Sequence, residues 1–177
     1  FIAARTCLED NMGRTPAEEN ENALQHELKR TYKPQTLYRT KKDGIFPQEM
    51  EIKLQKLMDE YAGGISTLYE LHERRLKIAQ RQLAGLRQDS EQLLARDFHE
   101  LNLCHEVLDR LDVADVLVAH LLARQETRWP GYQTRIDFPE QDDDNWLCFV
   151  YSTRNTDSGE IKITKKVYDP DELLKSM

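Results

Sequence analysis

Five side chains along one stretch, His99, Glu100, Cys104, His105 and, further on, His120, are of the types that hold metal ions or move protons. A metal site needs three or four such groups on a shared face. In a helix Glu100 and Cys104 are four apart and share one, but His99 and His105 are six apart, so about 120° of turn separates them. Neither the two-histidine spacing of zinc proteases nor the glutamate and histidine pair of di-iron bundles is present. Cys104 therefore reads as a core thiol and the histidines as partly exposed polar residues. Nucleophilic catalysis finds no serine or cysteine in a glycine-framed turn beside a histidine. Among the 7 glycines, Gly63-Gly64 follows a helical pattern rather than a strand, the wrong context for a phosphate cradle. The acidic run Gln141 to Asp144 lacks the spacing of a helix-loop-helix calcium site and reads as a solvated loop.

A different chemistry is offered by Glu126-Thr127-Arg128-Trp129-Pro130-Gly131-Tyr132, followed by Arg135, Asp137, Phe138 and Trp146. Arginine, tryptophan and tyrosine dominate the energetics of protein interfaces. Arg128, Trp129, Tyr132, Arg135 and Trp146 are thus a candidate interface, with no catalytic, cofactor or metal residue beside them. The alternative is that Trp129 and Trp146 plug the end of a helical bundle. Both readings stay open at this point.

The elements that must position this segment are mainly helical. Ile2, Ala3, Cys7 and Leu8 suit a short helix ending near Gly13, and Thr15, Pro16 and Glu18 are the capping box of a second, sparsely apolar helix on the surface. Pro34, Gly44 and Pro47 predict an extended connection from Tyr32 to Pro47. Met50, Leu54, Leu57, Met58 and Tyr61 then recur at spacings of three and four up to Gly63-Gly64, and Leu68, His72, Leu76, Ala79, Leu83 and Leu86 do so up to Asp89. With Ser90 as its cap, a third stripe from Leu94 and Phe98 through Leu101, Cys104, Leu108 and Leu111 to Leu122 predicts a helix of about nine turns. Each has one apolar stripe that only its neighbours can cover, so an antiparallel three-helix bundle is expected. After Arg128 the helical pattern stops. An extended segment leads to β-prone stretches Leu147 to Thr153 and Ile161 to Val167, with Asn155 to Gly159 as the turn of a β-hairpin, and Asp169 opens a short helix. The expected division is 1–46, N-terminal helices and linker; 47–128, the bundle; and 129–177, the extended segment with its hairpin.

Of 177 residues 39% are hydrophobic, enough for one ordinary core. The balance of 25 basic against 32 acidic residues, net -7, argues against a nucleic-acid partner, which needs a concentrated basic face. Cys7, Cys104 and Cys148 are odd in number and far apart, which fits a reducing, cytoplasmic setting better than a disulfide framework. No apolar run approaches the roughly 18 residues that cross a bilayer. The opening Phe1-Ile2-Ala3-Ala4, without methionine and already helical in pattern, reads as a cut within a longer chain.

The string Arg124-Gln125-Glu126-Thr127-Arg128-Trp129-Pro130-Gly131-Tyr132, then Asp142-Asp143-Asp144-Asn145-Trp146-Leu147-Cys148-Phe149-Val150, resembles the ending of the alpha subunit in the adenylylsulfate reductase and fumarate reductase/succinate dehydrogenase flavoprotein family. Leu57-Met58-Asp59-Glu60-Tyr61-Ala62-Gly63-Gly64 and Ala95 to Leu101 resemble the same subunit in the same order, and the likeness runs from about Pro47 to Tyr168. Succinate dehydrogenases and fumarate reductases usually carry serine-arginine-glycine-alanine-histidine at the turn. Thr127-Arg128-Trp129-Pro130-Gly131 replaces it here, which favours the sulfur-metabolising branch. The stretch Glu106 to Leu122 is more aliphatic than that branch leads one to expect, in keeping with a paralogue of another substrate.

The resemblance implies a helical domain that follows a flavin domain in the same parent chain. FAD and the reacting residues would lie upstream, an iron-sulfur subunit would deliver electrons, and residues 1–46 would be the tail of the flavin domain. No position matches the family's catalytic histidines and arginines, so this segment would bind no cofactor itself and be inactive alone. Apolar surfaces meant for the absent domain would let two copies of the excised chain pair. The alternatives from other classes are a free-standing helical interaction module that binds a partner helix along its stripe, and an enzyme using the His99 to His105 cluster. The upstream reading frame separates the first two, and metal analysis the third.

Overall fold

The spacing of apolar residues in three stretches builds most of the structure, a computed structural model that describes residues 12, 21–41, 43–156 and 158–167. The short helix expected before Gly13, the Thr15 capping box and the helix after Asp169 lie outside these residues. The chain divides into two compact units, 1–33 and 34–177. In the first, helix α1 (Glu21–Thr31) buries no residue, and Leu24 and Leu28 are exposed, as befits a surface helix.

Helix α2 (Lys33–Thr40) occupies the place where an extended connection was expected. Pro34 misled that expectation: at the second helical position its missing N–H is one that no intrahelical acceptor would have served. Helix α3 (Pro47–Tyr61) starts with proline at its first position, and the Glu49 carboxylate accepts from the Phe46 backbone N–H at 3.1 Å. A short 3-10 turn (Ile65–Thr67) and strand β1 (Glu70–Leu71) follow. Helix α4 (Glu73–Ser90) therefore begins later than its stripe suggested, with His72 as cap, its Nδ1 accepting from Arg74 N–H at 3.0 Å.

Helix α5 (Phe98–Ala123) spans 26 residues, about seven turns rather than nine. Its cap is Asp97, which accepts from Glu100 N–H at 2.9 Å, and Ser90 instead ends α4, its hydroxyl donating to Arg87 O at 2.7 Å. Leu94, which opened the apolar stripe, is buried with Leu93 and Ala95 within the connection, and Phe98 is exposed. That connection is held by Leu94 N–H donating to Ile45 O at 2.9 Å and Ala95 N–H to Pro34 O at 3.2 Å.

Met50, Leu54 and Leu57 of α3, Ala79, Leu83 and Leu86 of α4, and Leu101, Cys104, Val107, Leu111 and Val118 of α5 form one core. Each buried leucine contributes roughly 2 kcal/mol by leaving water. The start of α3 lies beside the end of α4, through Ile45 N–H donating to Gln92 O at 3.0 Å, and the Asp137 carboxylate that serves the start of α4 is ion-paired to Arg135, which donates to Leu121 O near the end of α5. Successive helices are thus antiparallel, the bundle expected from the three stripes.

Beyond α5 come strand β2 (Thr134–Arg135), parallel to β1, and the one-turn helix α6 (Asp143–Trp146). Strands β3 (Cys148–Arg154) and β4 (Ile161–Val167) form the expected antiparallel hairpin. Cys148, Val150, Ile161 and Ile163 are half-buried, and both strands pack against α5. Arg154 and Arg87 share Asp112 and Asp115 (2.6–3.6 Å), tying hairpin, α4 and α5 in one charged network.

Tightness at the α3 exit makes a first prediction. A Cβ on Gly64 would stand 2.3 Å from Asp59 Cα, whereas one on Gly85, within α4, would meet nothing within 4 Å. Gly64→Ala is expected to cost at least about 2 kcal/mol, and Gly85→Ala to add about 0.5–1 kcal/mol, each read as a shift in the urea midpoint.

Candidate docking site at the bundle end

Where α5 stops, its last carbonyls need donors, and where α4 starts, its first N–H groups need acceptors. Two residues of the extended segment supply both. Arg135 Nη1 donates to Leu121 O and to Arg124 O, each at 2.6 Å, while Asp137 Oδ2 accepts from Glu73 N–H at 2.9 Å. Arg135 and Asp137 are themselves joined by two hydrogen bonds of 2.8 Å. The cation sits at a helix C-terminus and the carboxylate at a helix N-terminus, so both macrodipoles favour the arrangement. The Arg135 hydrogen bonds hold the Asp137 carboxyl down at about 2, with burial opposing them and Glu73 N–H assisting.

A second hub lies beside it. Glu126 is fully buried, and burial alone would raise its carboxyl; hydrogen bonds from Arg128, from Asp142 N–H and from Arg124 outweigh that and hold it below the usual range. Arg128 Nε and Nη2 meet its two oxygens at 2.8 and 2.9 Å, Asp142 N–H donates to it at 3.0 Å, and Arg124 Nη1 also bonds it. Neighbouring Thr127 accepts from Arg135 N–H at 2.9 Å and donates to Phe138 O at 2.9 Å. Sequence reasoning missed Glu126, although Arg124-x-Glu126-x-Arg128 spelled a carboxylate between two guanidiniums.

The five interface candidates divide sharply. Arg135 is buried, and so is Trp146, between the Arg124 guanidinium 5.3 Å from its ring centre and Lys165 Nζ at 3.2 Å. Arg128 is half-buried and also reaches Asp143 at 2.9 Å. Trp129 and Tyr132, in contrast, are 65% and 76% exposed. Trp146 thus plugs the bundle end, and Trp129 does not.

Next to Trp129 and Tyr132 stands another apolar turn. Thr134 N–H donates to Tyr69 O at 3.2 Å, so the β1–β2 pairing sets Leu68 and Tyr69 beside them. Both have left-handed backbones, φ 53° and 60°, and both are exposed. Such a conformation costs a non-glycine residue about 1–3 kcal/mol, here with two large apolar side chains turned to solvent. Beside Trp129 lies a cavity of about 150 Å³, lined by Leu71, Arg124, Glu126, Arg128, Trp129 and Arg135 among others.

The other constellation dissolves. Glu100 is buried and bound by Arg96, through Nε at 2.8 Å and its N–H at 2.8 Å, and Cys104 Sγ lies 3.6 Å from Leu94 O. Burial, with a smaller contribution from Glu100, pushes the Cys104 thiol up to about 12. No group of three or more metal-binding side chains gathers among the described residues. Asp142 of the acidic run caps α6, accepting from Asn145 N–H at 3.0 Å.

Residues 51–175 match the family described as fumarate reductase flavoprotein C-term. The adenylylsulfate reductase subunit alpha of Megalodesulfovibrio gigas is 39% identical over 124 residues, 70% of this chain and 19% of that protein. The structure of adenylylsulfate reductase from Archaeoglobus fulgidus superposes with TM-score 0.88 at 38% identity, covering 95% of this chain and 28% of that one. A quinol fumarate reductase of E. coli shares the fold, at TM-score 0.65 and 21% identity, over 86% of this chain and 26% of that one. The chain thus spans well under a third of the length of these relatives.

Proposed function

The chain belongs to the fumarate reductase flavoprotein C-terminal family, and from that premise we propose that it buttresses and docks the catalytic part of an adenylylsulfate reductase-like oxidoreductase. The parent would carry FAD in its upstream flavin domain and take electrons from an iron-sulfur subunit. It would pass them to the sulfur of adenylylsulfate or, in a paralogue, to an alkene such as fumarate. Residues 1–46 would be the tail of the flavin domain. A reducing, cytoplasmic setting agrees with Cys104 and Cys148 as free thiols. Among the described residues no helix is long and apolar enough to cross a membrane.

The residues here do not fit FAD. Among the described residues no strand runs through a glycine-rich turn into a helix, and β1 enters α4 through His72. What carries the docking reading is the contrast at the bundle end, where every buried side-chain nitrogen and oxygen of the described residues is satisfied while Trp129 and Tyr132 remain exposed. Large aromatics held on such a rigid base are the usual hot spots of an interface.

Co-expression with the upstream part of the parent tests this. The 177 residues alone should be colourless, and the complex yellow. Trp129→Ala with Tyr132→Ala should weaken association at least tenfold without moving the Tm of the chain alone. A stoichiometric flavin on the isolated chain, or association indifferent to both aromatics, would contradict the proposal.

A further inference from the structure

The bundle-end cavity offers guanidinium N–H groups that its own residues do not use. Three guanidiniums line it, Arg124, Arg128 and Arg135, together with the carboxylate of Glu126, while Asp137 and Asp143 pair with Arg135 and Arg128 from outside the lining and balance the charge. Arg135 is consumed by Asp137 and the two α5 carbonyls. Glu126 divides its two oxygens between Arg124, Arg128 and Asp142 N–H. Asp143 takes one further contact from Arg128 Nη2, but that aspartate is 56% exposed. Arg128 Nη1 and Arg124 Nη2 then donate to no described residue. Because no buried side-chain nitrogen or oxygen among the described residues lacks a partner, these two groups are open to solvent rather than sealed inside.

Resting on the docking reading above, we propose that this cavity receives the carboxylate of an aspartate or glutamate from the polypeptide that docks over Trp129 and Tyr132. The volume suits one side chain. Two guanidiniums whose orientation is already fixed by Glu126 offer a carboxylate charge-assisted hydrogen bonds without further ordering. The surroundings favour a polypeptide over a free oxyanion. Trp129 lines the site and is exposed, as are Tyr132, Leu68 and Tyr69 on the adjoining turns, and a small anion would cover none of them, whereas a docking chain that covers these side chains excludes water from the ion pair.

Carbodiimide coupling in the assembled full-length flavoprotein tests the proposal. Arg128→Lys, and separately Arg124→Lys, replaces a guanidinium with an amine that couples only to a carboxylate it touches. Peptide mapping is expected to find the introduced amine joined to an aspartate or glutamate outside these 177 residues. Coupling confined to Glu126 or Asp143 in an assembled complex overturns the proposal. So does protection of the amine by millimolar inorganic phosphate with no coupling outside the chain, which makes the cavity a free-anion site. Failure of both variants to assemble at unchanged Tm counts for it, since they lose the arginine fork while keeping the charge. If Trp129→Ala with Tyr132→Ala weakens association and no such coupling forms, the docking surface stands and only the carboxylate falls. Association indifferent to the two aromatics fells both.

Discussion

Glu126→Ala is expected to lower the stability of the chain by about 3–5 kcal/mol, the cost of breaking a buried ion pair by removing one partner. Both oxygens of this enclosed carboxylate are spoken for, by Arg128, Arg124 and the Asp142 N–H. Without it two half-buried guanidiniums face each other, and the turn from Asp142 into α6 loses its anchor. At about 2–4 °C per kcal/mol for a chain of this size, the Tm should fall by roughly 10 °C. Glu126→Gln keeps the shape and one acceptor, so it should cost less. Combining Glu126→Ala with Arg128→Ala should cost less than the sum of the two single changes, because their energies share one contact. Equal Tm values for wild type and Glu126→Ala would show that the hub is not structural.

The second large effect belongs to Arg135. Arg135→Met removes the donors to Leu121 O and Arg124 O and strands the Asp137 carboxylate, which still serves Glu73 N–H. A loss of about 3–5 kcal/mol at neutral pH is expected. Arg135→Lys should restore little of it, since one ammonium cannot grip a carboxylate with two parallel bonds and reach two carbonyls as well.

The pH profile distinguishes this contact from simple packing. The Asp137 carboxyl sits at about 2 in the folded chain against 3.8 unperturbed, and its side chain is only 15% exposed. A depressed folded value means that the stabilisation is present in full above about pH 4 and fades as pH falls toward 2. It amounts to about 2 kcal/mol. Glu126 and Glu100, held low by their own arginines, add acid sensitivity of the same sign. Arg135→Met should therefore be destabilised most at neutral pH and converge toward wild type near pH 2. Urea midpoints measured from pH 2 to pH 7 decide it: a constant offset across that range would refute the coupling.

Both effects arise at residues whose roles were only partly legible. The three bundle helices and the hairpin could be read from the chain because their signals are local: a period of three to four, a two-stranded pattern around Asn155 to Gly159, and glycine at the α3 exit. Misreadings came where local signals are ambiguous. Pro34 looked like a breaker but lies in the first turn of α2, and Leu94 prolonged an apolar stripe although it fills a connection.

The order of residues by itself determined that three amphipathic helices must cover one another, that a hairpin follows, and that aromatic and arginine side chains crowd the segment between them. It did not determine which of those side chains turn inward. Trp129 and Trp146 are alike in type and setting, yet one is exposed and the other enclosed by Arg124 and Lys165. Arg135 became a helix cap only because the end of α5 and the start of α4, some 50 residues apart in the chain, arrive at the same end of the bundle with complementary unsatisfied groups. Burial and hydrogen-bond satisfaction depend on neighbours in space, and those exist only once the helices have packed.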